Sequence, residues 1–230
     1  IVAVNGDDIV GAVQYKFYQA GGKKIGYFDY AFIAPDYRGR GIGSMLYKAA
    51  TDYLWEQGCD AQTALVKDDN VGSWGLFLKN GFVRAGLREM AEQFGLLGAF
   101  RLYFGTMFGI AVGMDYYVAL RGRKFPDRKG GSCQQVIGYL TVNLLLSLIL
   151  LFSERTSRSA LLASYFIFLA GGMLFGYVGT LFSSRKWHFR LCNGGGAVCA
   201  LVNFTGGVYP MTGSWYPESY QNSKGFRRDM

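Results

Sequence analysis

Histidine is almost absent: His188 is the only one in a chain of 230 residues. A lone imidazole in a basic loop beside Trp187 offers no second ligand for a metal, so it reads as an interfacial residue and no metal is expected. The four cysteines, Cys59, Cys133, Cys192 and Cys199, include no Cys-x-x-Cys spacing, which excludes a zinc ribbon or a redox pair of that kind. Cys192 and Cys199, seven apart in an apolar stretch, are expected to be buried and reduced. Acidic side chains are also scarce, 16 against 24 Lys and Arg, giving a formal charge of +8. Such a balance can mark a nucleic-acid binder. Here the basic residues flank apolar runs, and no regular basic-aromatic array accompanies them, so nucleic acid is not the expected partner.

What the chain has in excess is hydrophobic surface, and it lies in the second half. Gln135 to Phe152 contains a run of leucines and isoleucines broken only by Ser147, and Ala160 to Phe182 carries no charge. At about 1.5 Å per residue each approaches the length of a bilayer crossing. A third, weaker span is expected over 191–209, where Asn193, Asn203, Thr205 and several glycines favour packing inside a bundle. Gly171, Gly172, Gly176 and Gly179 would let helices approach closely. Pro210, Trp215, Tyr216 and Pro217 would form an interfacial exit. Arg121, Arg123, Lys124, Arg128 and Lys129 precede the first span, and Arg185, Lys186 and Arg190 follow the second. These clusters outweigh Arg155 and Arg158 between them, so the basic side is expected to be cytoplasmic.

The first half reads as an α/β domain. Ile1 to Gly11 predicts a hairpin turning at Asn5-Gly6, and the aromatic segment Ile25 to Ile33 predicts a strand. Met45 to Trp55 predicts a helix with Leu46, Ala49, Ala50, Tyr53 and Leu54 on its apolar face. Between strand and helix lies Ile33-Ala34-Pro35-Asp36-Tyr37-Arg38-Gly39-Arg40-Gly41-Ile42-Gly43-Ser44. Its glycines permit a tight turn whose N–H groups, with the positive end of the helix dipole, would cradle an anion. The spacing is Arg-x-x-Gly-x-Gly, which is not the dinucleotide fingerprint, and no Lys-Ser or Lys-Thr follows as a P-loop requires.

This spacing, with Arg38, Gly41 and Gly43 behind the hydrophobic-x-Pro step Ile33-Ala34-Pro35, resembles the coenzyme-A signature of the GCN5-related N-acetyltransferases (GNAT). Leu76-Phe77-Leu78-Lys79-Asn80-Gly81-Phe82 resembles the family's helix-ending motif, with Gly81 as a left-handed stop. Ala61 to Lys67 would be the next strand, and Asp115 to Leu120 the closing one. The resemblance implies a GNAT-like mixed sheet over residues 1–121, acetyl-coenzyme A as cosubstrate and an amine as acceptor. It also implies that the family's first strand and two helices, which shape much of the acceptor pocket, are missing before Ile1. Arg38, Gly39, Arg40, Gly41, Ile42, Gly43 and Ser44 would hold the pyrophosphate. Phe32 and Ile33 would pair with the pantetheine arm, and Asn70 would contact the cofactor.

Chemistry in such a site is positioning, oxyanion stabilisation and proton removal. Asp29 is the candidate general base, and Tyr27 stands where some relatives carry a glutamate. Phe77 occupies the position of the tyrosine that protonates the leaving thiolate in many relatives, so that role would fall to Ser73, Tyr47 or water. The apolar insertion 87–112, with Phe94, Leu96, Leu97, Phe100, Leu102, Tyr103, Phe104, Met107 and Phe108, is expected either to pack on the domain's own core or to form a membrane-facing lid; Arg101 opposes a simple span. The organisation expected is thus an acetyltransferase domain (1–121), a basic linker (122–134) and an all-α transmembrane domain (135–230), making a multi-pass cell-membrane protein with its catalytic domain in the cytoplasm. The alternative is a non-catalytic acyl-coenzyme-A sensor coupled to the membrane helices. A transport or assembly domain carrying the acetyltransferase as an accessory is a third possibility.

Overall fold

In the computed structural model, residues 1–68, 70–122, 131–152 and 157–217 are described; most of the basic linker, the acidic and basic residues of the loop at 153–156, and everything after Pro217 lie outside them. Two compact units divide the chain, one of Ile1–Phe108 with Asp115–Asp127, the other of Gly109–Met114 with Arg128–Met230.

The first unit is built on a mixed six-stranded sheet of order β1-β2-β3-β4-β6-β5. Its elements are β1 (Val2–Asn5), β2 (Asp8–Ala20), β3 (Lys23–Ile33), α1 (Ile42–Glu56), β4 (Ala61–Lys67), α2 (Val71–Lys79), β5 (Val83–Ala85), α3 (Leu87–Gly105) and β6 (Met114–Leu120). The hairpin turns at Asn5-Gly6 with Gly6 left-handed at φ +61°, and Gly81 ends α2 at φ +81°. α1 buries Leu46, Ala50 and Leu54 as its apolar spacing requires, but adds Tyr47 and Thr51, while Ala49 faces solvent.

Each face of the sheet has its own cover. On one, Phe28 packs against Tyr47 of α1 and Phe77 of α2 at ring-centroid distances of 6.1 and 5.2 Å. On the other, Ile25, Ala61, Tyr116 and Val118 meet Met90, Phe94, Ala99 and Leu102 of α3. Residues 87–105 of the insertion therefore form a helix packed on the domain's own core. Its helical run is interrupted at Gly95, whose φ/ψ of 71°/162° is non-helical. Gly98 seats it closely: a Cβ there would lie 2.8 Å from the Gly21 nitrogen.

The second unit contains α4 (Ser132–Ile149), a 3-10 turn at Leu150–Phe152, α5 (Arg158–Leu181), β7 (Trp187–Leu191), α6 (Gly196–Phe204) and β8 (Gly213–Pro217). α4 and α5 are both long and apolar enough to cross a membrane. Two expectations are corrected. The segment 191–209 is not a span: it holds the end of β7, a glycine turn and a nine-residue helix about 14 Å long, because Asn193-Gly194-Gly195 breaks the run. The unit is also not all-α, since β7 and β8 pair antiparallel from Trp187–Pro217 to Leu191–Gly213. Trp215 lies in β8, and Gly176 accommodates its indole rather than another helix, the nearest ring atom standing 2.7 Å from a Cβ built at that glycine.

Polar groups sit inside this unit. Asn143 is fully buried; its Nδ2 donates to the Tyr139 and Met211 carbonyls, and its Oδ1 accepts from the Tyr165 hydroxyl and the Met211 N–H, both at 2.8 Å. Asn203 accepts from the Tyr209 N–H at 2.8 Å. Cys192 and Cys199 are buried thiols outside any disulfide, the first beside the Tyr216 hydroxyl and the second directed at the Pro210 carbonyl.

Candidate functional site

The site begins with an irregularity in β3. Its antiparallel register with β2 passes from Tyr30–Gln14 directly to Phe28–Tyr15, leaving Asp29 as the extra residue of a β-bulge. A bulge inverts side-chain alternation beyond it. Phe28 and Ile33, an odd number of residues apart, consequently both face α1: Phe28 stacks on Tyr47, and the Ile33 side chain lies 3.9 Å from a Cβ built at Gly43.

The bulge coincides with a parting of strands. β3 and β4 pair in parallel from Ile25–Ala61 to Phe28–Ala64, where the pairing stops although β3 continues to Ile33 and β4 to Lys67. The two strand edges beyond Phe28 and Ala64 carry backbone donors and acceptors, and a slot so lined suits an extended ligand with amides of its own.

At the outer end of β3 the glycine turn follows. Pro35–Tyr37 forms a single 3-10 turn, and Gly39 and Gly41 adopt φ of +77° and +82°, a region that side-chain-bearing residues rarely adopt. Gly41 is the N-cap of α1, whose first turn, Ile42-Gly43-Ser44, contains no acidic residue. The orphan N–H groups of that turn and the helix dipole present partial positive charge, which could hold an anion. Gly43 has no positive φ, and a Cβ there would make only ordinary contact with Leu76, at 3.4 Å, and with Ile33. Arg38 is exposed, with its Nε donating to the Ile33 carbonyl at 3.2 Å, and the Arg40 guanidinium stands 5.1 Å over the Tyr37 ring, whose hydroxyl accepts from Asn5. Both guanidinium groups thus stay near the turn.

The remaining predicted residues separate. Phe32 is largely exposed on the strand end. Asn70 is the N-cap of α2, its Oδ1 accepting the Ser73 N–H at 3.2 Å, which leaves its Nδ2 as a donor. Asp29 forms an ion pair with Lys16 Nζ at 2.8 Å. Lys16 was not foreseeable as its partner, because the bulge that sets their register leaves no sequence signal. Tyr27, deeply buried on the α3 face, has its phenol pushed well above the ordinary range by desolvation, so it is a neutral hydroxyl rather than a base. Phe77 is a core ring, packed at 4.9 Å on both Tyr47 and Phe82. Among the described residues no cluster of three or more metal-ligating side chains occurs.

Residues 1–82 match the family model "Acetyltransferase (GNAT) family". No curated protein matches the sequence. Among solved structures, the chain resembles the NatC complex bound to Gag peptide and CoA (20% identity, TM-score 0.39, covering 52% of this chain and 69% of that one). It also resembles a GNAT-family acetyltransferase from Streptococcus pneumoniae (19%, TM-score 0.38, 52% and 64%). A third is a streptothricin acetyltransferase from Bacillus anthracis in complex with acetyl coenzyme A (18%, TM-score 0.36, 52% and 60%). The chain thus spans under two thirds of the length of the last two.

Proposed function

From the family match over residues 1–82, we propose that the first unit is an acetyl-coenzyme-A-dependent N-acetyltransferase, carried on a membrane by α4 and α5. The observation that carries this reading is the slot between β3 and β4 leading to the glycine turn at the N-terminus of α1. Arg38 to Ser44 would hold the cosubstrate's pyrophosphate, the edge of β3 through Phe32 and Ile33 would pair with the pantetheine amides, and the Asn70 amide would donate to the same arm. An amine nitrogen then attacks the thioester carbon, a new C–N bond forms as the C–S bond breaks, and the products are an amide and free coenzyme A. Backbone N–H groups at the parted strands supply the oxyanion donors. Asp29, at the bulge, is the candidate acceptor of the amine's proton, with Lys16 holding its carboxylate in place.

The membrane part of the proposal rests on the exposed apolar faces of α4 and α5 and on the polar groups enclosed with the apolar core between them. Asn143, Ser147 and Asn203 are buried there, while Leu144, Leu145, Ile167, Phe168 and Phe175 are exposed. An apolar exterior around a core that encloses hydrogen-bonded polar groups suits lipid rather than water. The basic segments at 121–129 and 185–190 would then lie in the cytoplasm, where acetyl-coenzyme A is available to the catalytic unit. A second reading, a non-catalytic acyl-coenzyme-A sensor, is favoured by one observation: Phe77 is a closed core ring without a hydroxyl. Turnover separates the two. The full chain in nanodiscs, given acetyl-coenzyme A and a pool of amines, should release coenzyme A in an amine-dependent way. Cosubstrate binding without release under any amine would support the sensor.

A further inference from the structure

The helix α3 covers the sheet with one side only. Met90, Phe94, Ala99 and Leu102 are buried in the first unit's core, while Leu96, Leu97, Phe100 and Phe104 face solvent, Leu97 at 85% exposure. The rings of Phe100 and Phe104 stack one helical turn apart, with centroids at 6.4 Å and planes 10° from parallel. Met107 continues the exposed set just past the helix, with the one positive φ, 62°, of any non-glycine residue among those described. The break at Gly95 divides two kinds of surface. Before it α3 exposes an ion pair, Arg88 with Glu92 at 3.1 Å. From Gln93 to Met114 the sequence contains no acid and a single cation, Arg101, which is exposed one turn after Leu97.

A protein partner meets a polar rim and its hydrogen bonds, and this row offers one charged side chain. A bilayer interface asks for what the row has. Leucines and aromatic rings enter the acyl boundary, the Arg101 stem lies along them, and its guanidinium stays among anionic headgroups. The chain also keeps the row near lipid: residues 121–131 alone separate β6 from α4, a reach of about 40 Å even fully extended. A weak interfacial contact then acts at the high effective concentration of a tethered ligand. Resting on the membrane reading above, we infer that the exposed side of α3, from Leu96 to Met107, docks on the anionic surface of the bilayer that α4 and α5 cross. Because the other side of α3 belongs to the core, the helix carries the first unit to the interface with it.

The test uses the full chain in nanodiscs containing phosphatidylglycerol, on a Cys133→Ser background that removes the exposed cysteine. An environment-sensitive fluorophore is attached after Leu97→Cys, after Lys48→Cys on the exposed side of α1, or after Phe168→Cys in α5. Lipids with a nitroxide near the headgroup should quench position 97 at least about twofold more than position 48. Lipids with a deep nitroxide should quench 97 less than 168, as expected for side chains about 5–10 Å into the interface. Arg101→Gln, or phosphatidylcholine in place of the anionic lipid, should reduce the shallow quenching at 97 and leave 168 unchanged. Phe100→Glu should abolish it, which separates docking of the helix from insertion of the fluorophore alone. An unfolded α3 segment would meet lipid with the same side chains, so docking adds little to folding stability and is read by quenching. Equal quenching at 97 and 48, with 168 quenched, overturns the docking of α3 and leaves the anchor standing. Protection of 97 from aqueous iodide without lipid quenching puts a protein surface there, a second copy included, and also overturns it. An unquenched probe at 168 overturns the membrane reading and this inference with it.

Discussion

The two units differ less in what they bury than in what they expose: both interiors are mainly aromatic and aliphatic with a few enclosed polar side chains, Gln62 and Thr63 in the first and Asn143 and Asn203 in the second. In the first, the interior is aromatic and aliphatic, with Phe82, Phe94, Leu102 and Tyr117 almost wholly enclosed. In the second, fully buried Asn143 and Asn203 tie α4, α5 and α6 to the chain around Met211, while large apolar side chains cover the outside. Each arrangement satisfies the backbone, but they differ in which solvent the surface is made for. In water the removal of apolar area organises a core; in lipid that drive between helices disappears, and packing and interhelical hydrogen bonds take its place.

The sharpest way to break this contrast is at Asn143. Asn143→Ala removes the acceptor of the Tyr165 hydroxyl and the Met211 N–H together, and two stranded buried donors at about 1–3 kcal/mol each predict a loss of about 2–6 kcal/mol. Thermal unfolding in nanodiscs should show it in the second unit, and a change below about 1 kcal/mol would make the network dispensable. The counterpart in the first unit is Leu102→Ala in α3, expected to cost about 2–5 kcal/mol through lost burial and a cavity. Denaturant titration followed by near-ultraviolet circular dichroism of the tyrosine-rich core would measure it.

Surface substitutions then sharpen the comparison. Phe168→Arg, on the exposed side of α5, should disfavour membrane insertion by about 3 kcal/mol if that side meets lipid. A glycosylation-reporter insertion assay reads this directly, and unaltered insertion would contradict a lipid-facing α5. The smallest effect is expected at Leu97, the most exposed leucine of α3: Leu97→Gln should shift stability by no more than about 0.5 kcal/mol. A larger loss would show that this side of α3 is covered.

Local chemistry explains what was legible in the sequence. Gly6, Gly41 and Gly81 adopt the left-handed conformations their turns demand, and Ala61–Lys67 is a strand with the bounds its composition indicates. Register and long-range packing were not legible. The Asp29 bulge depends on how β2 and β3 align, so the Lys16 pair and the shared direction of Phe28 and Ile33 followed only from the fold. α3 has apolar residues on both sides, Met90, Phe94 and Leu102 buried but Leu96, Leu97 and Phe100 exposed, so periodicity could not say which side meets the sheet. Over 191–209 hydropathy registered the apolar residues but not the break at Asn193-Gly194-Gly195, which turns a supposed span into strand, turn and short helix. In the site, the glycine turn was readable and the packing of Tyr47 on Phe77 was not, since it joins two helices.

In the proposed function, the turn from Arg38 to Ser44 receives coenzyme A. Calorimetric titration of acetyl-coenzyme A into the full chain in nanodiscs, wild type beside Gly41→Trp, tests it most directly. One-site binding to the wild type, weakened at least 100-fold in a folded Gly41→Trp protein, is the predicted result. No binding to the wild type, or equal binding to both, would contradict the assignment of the cradle.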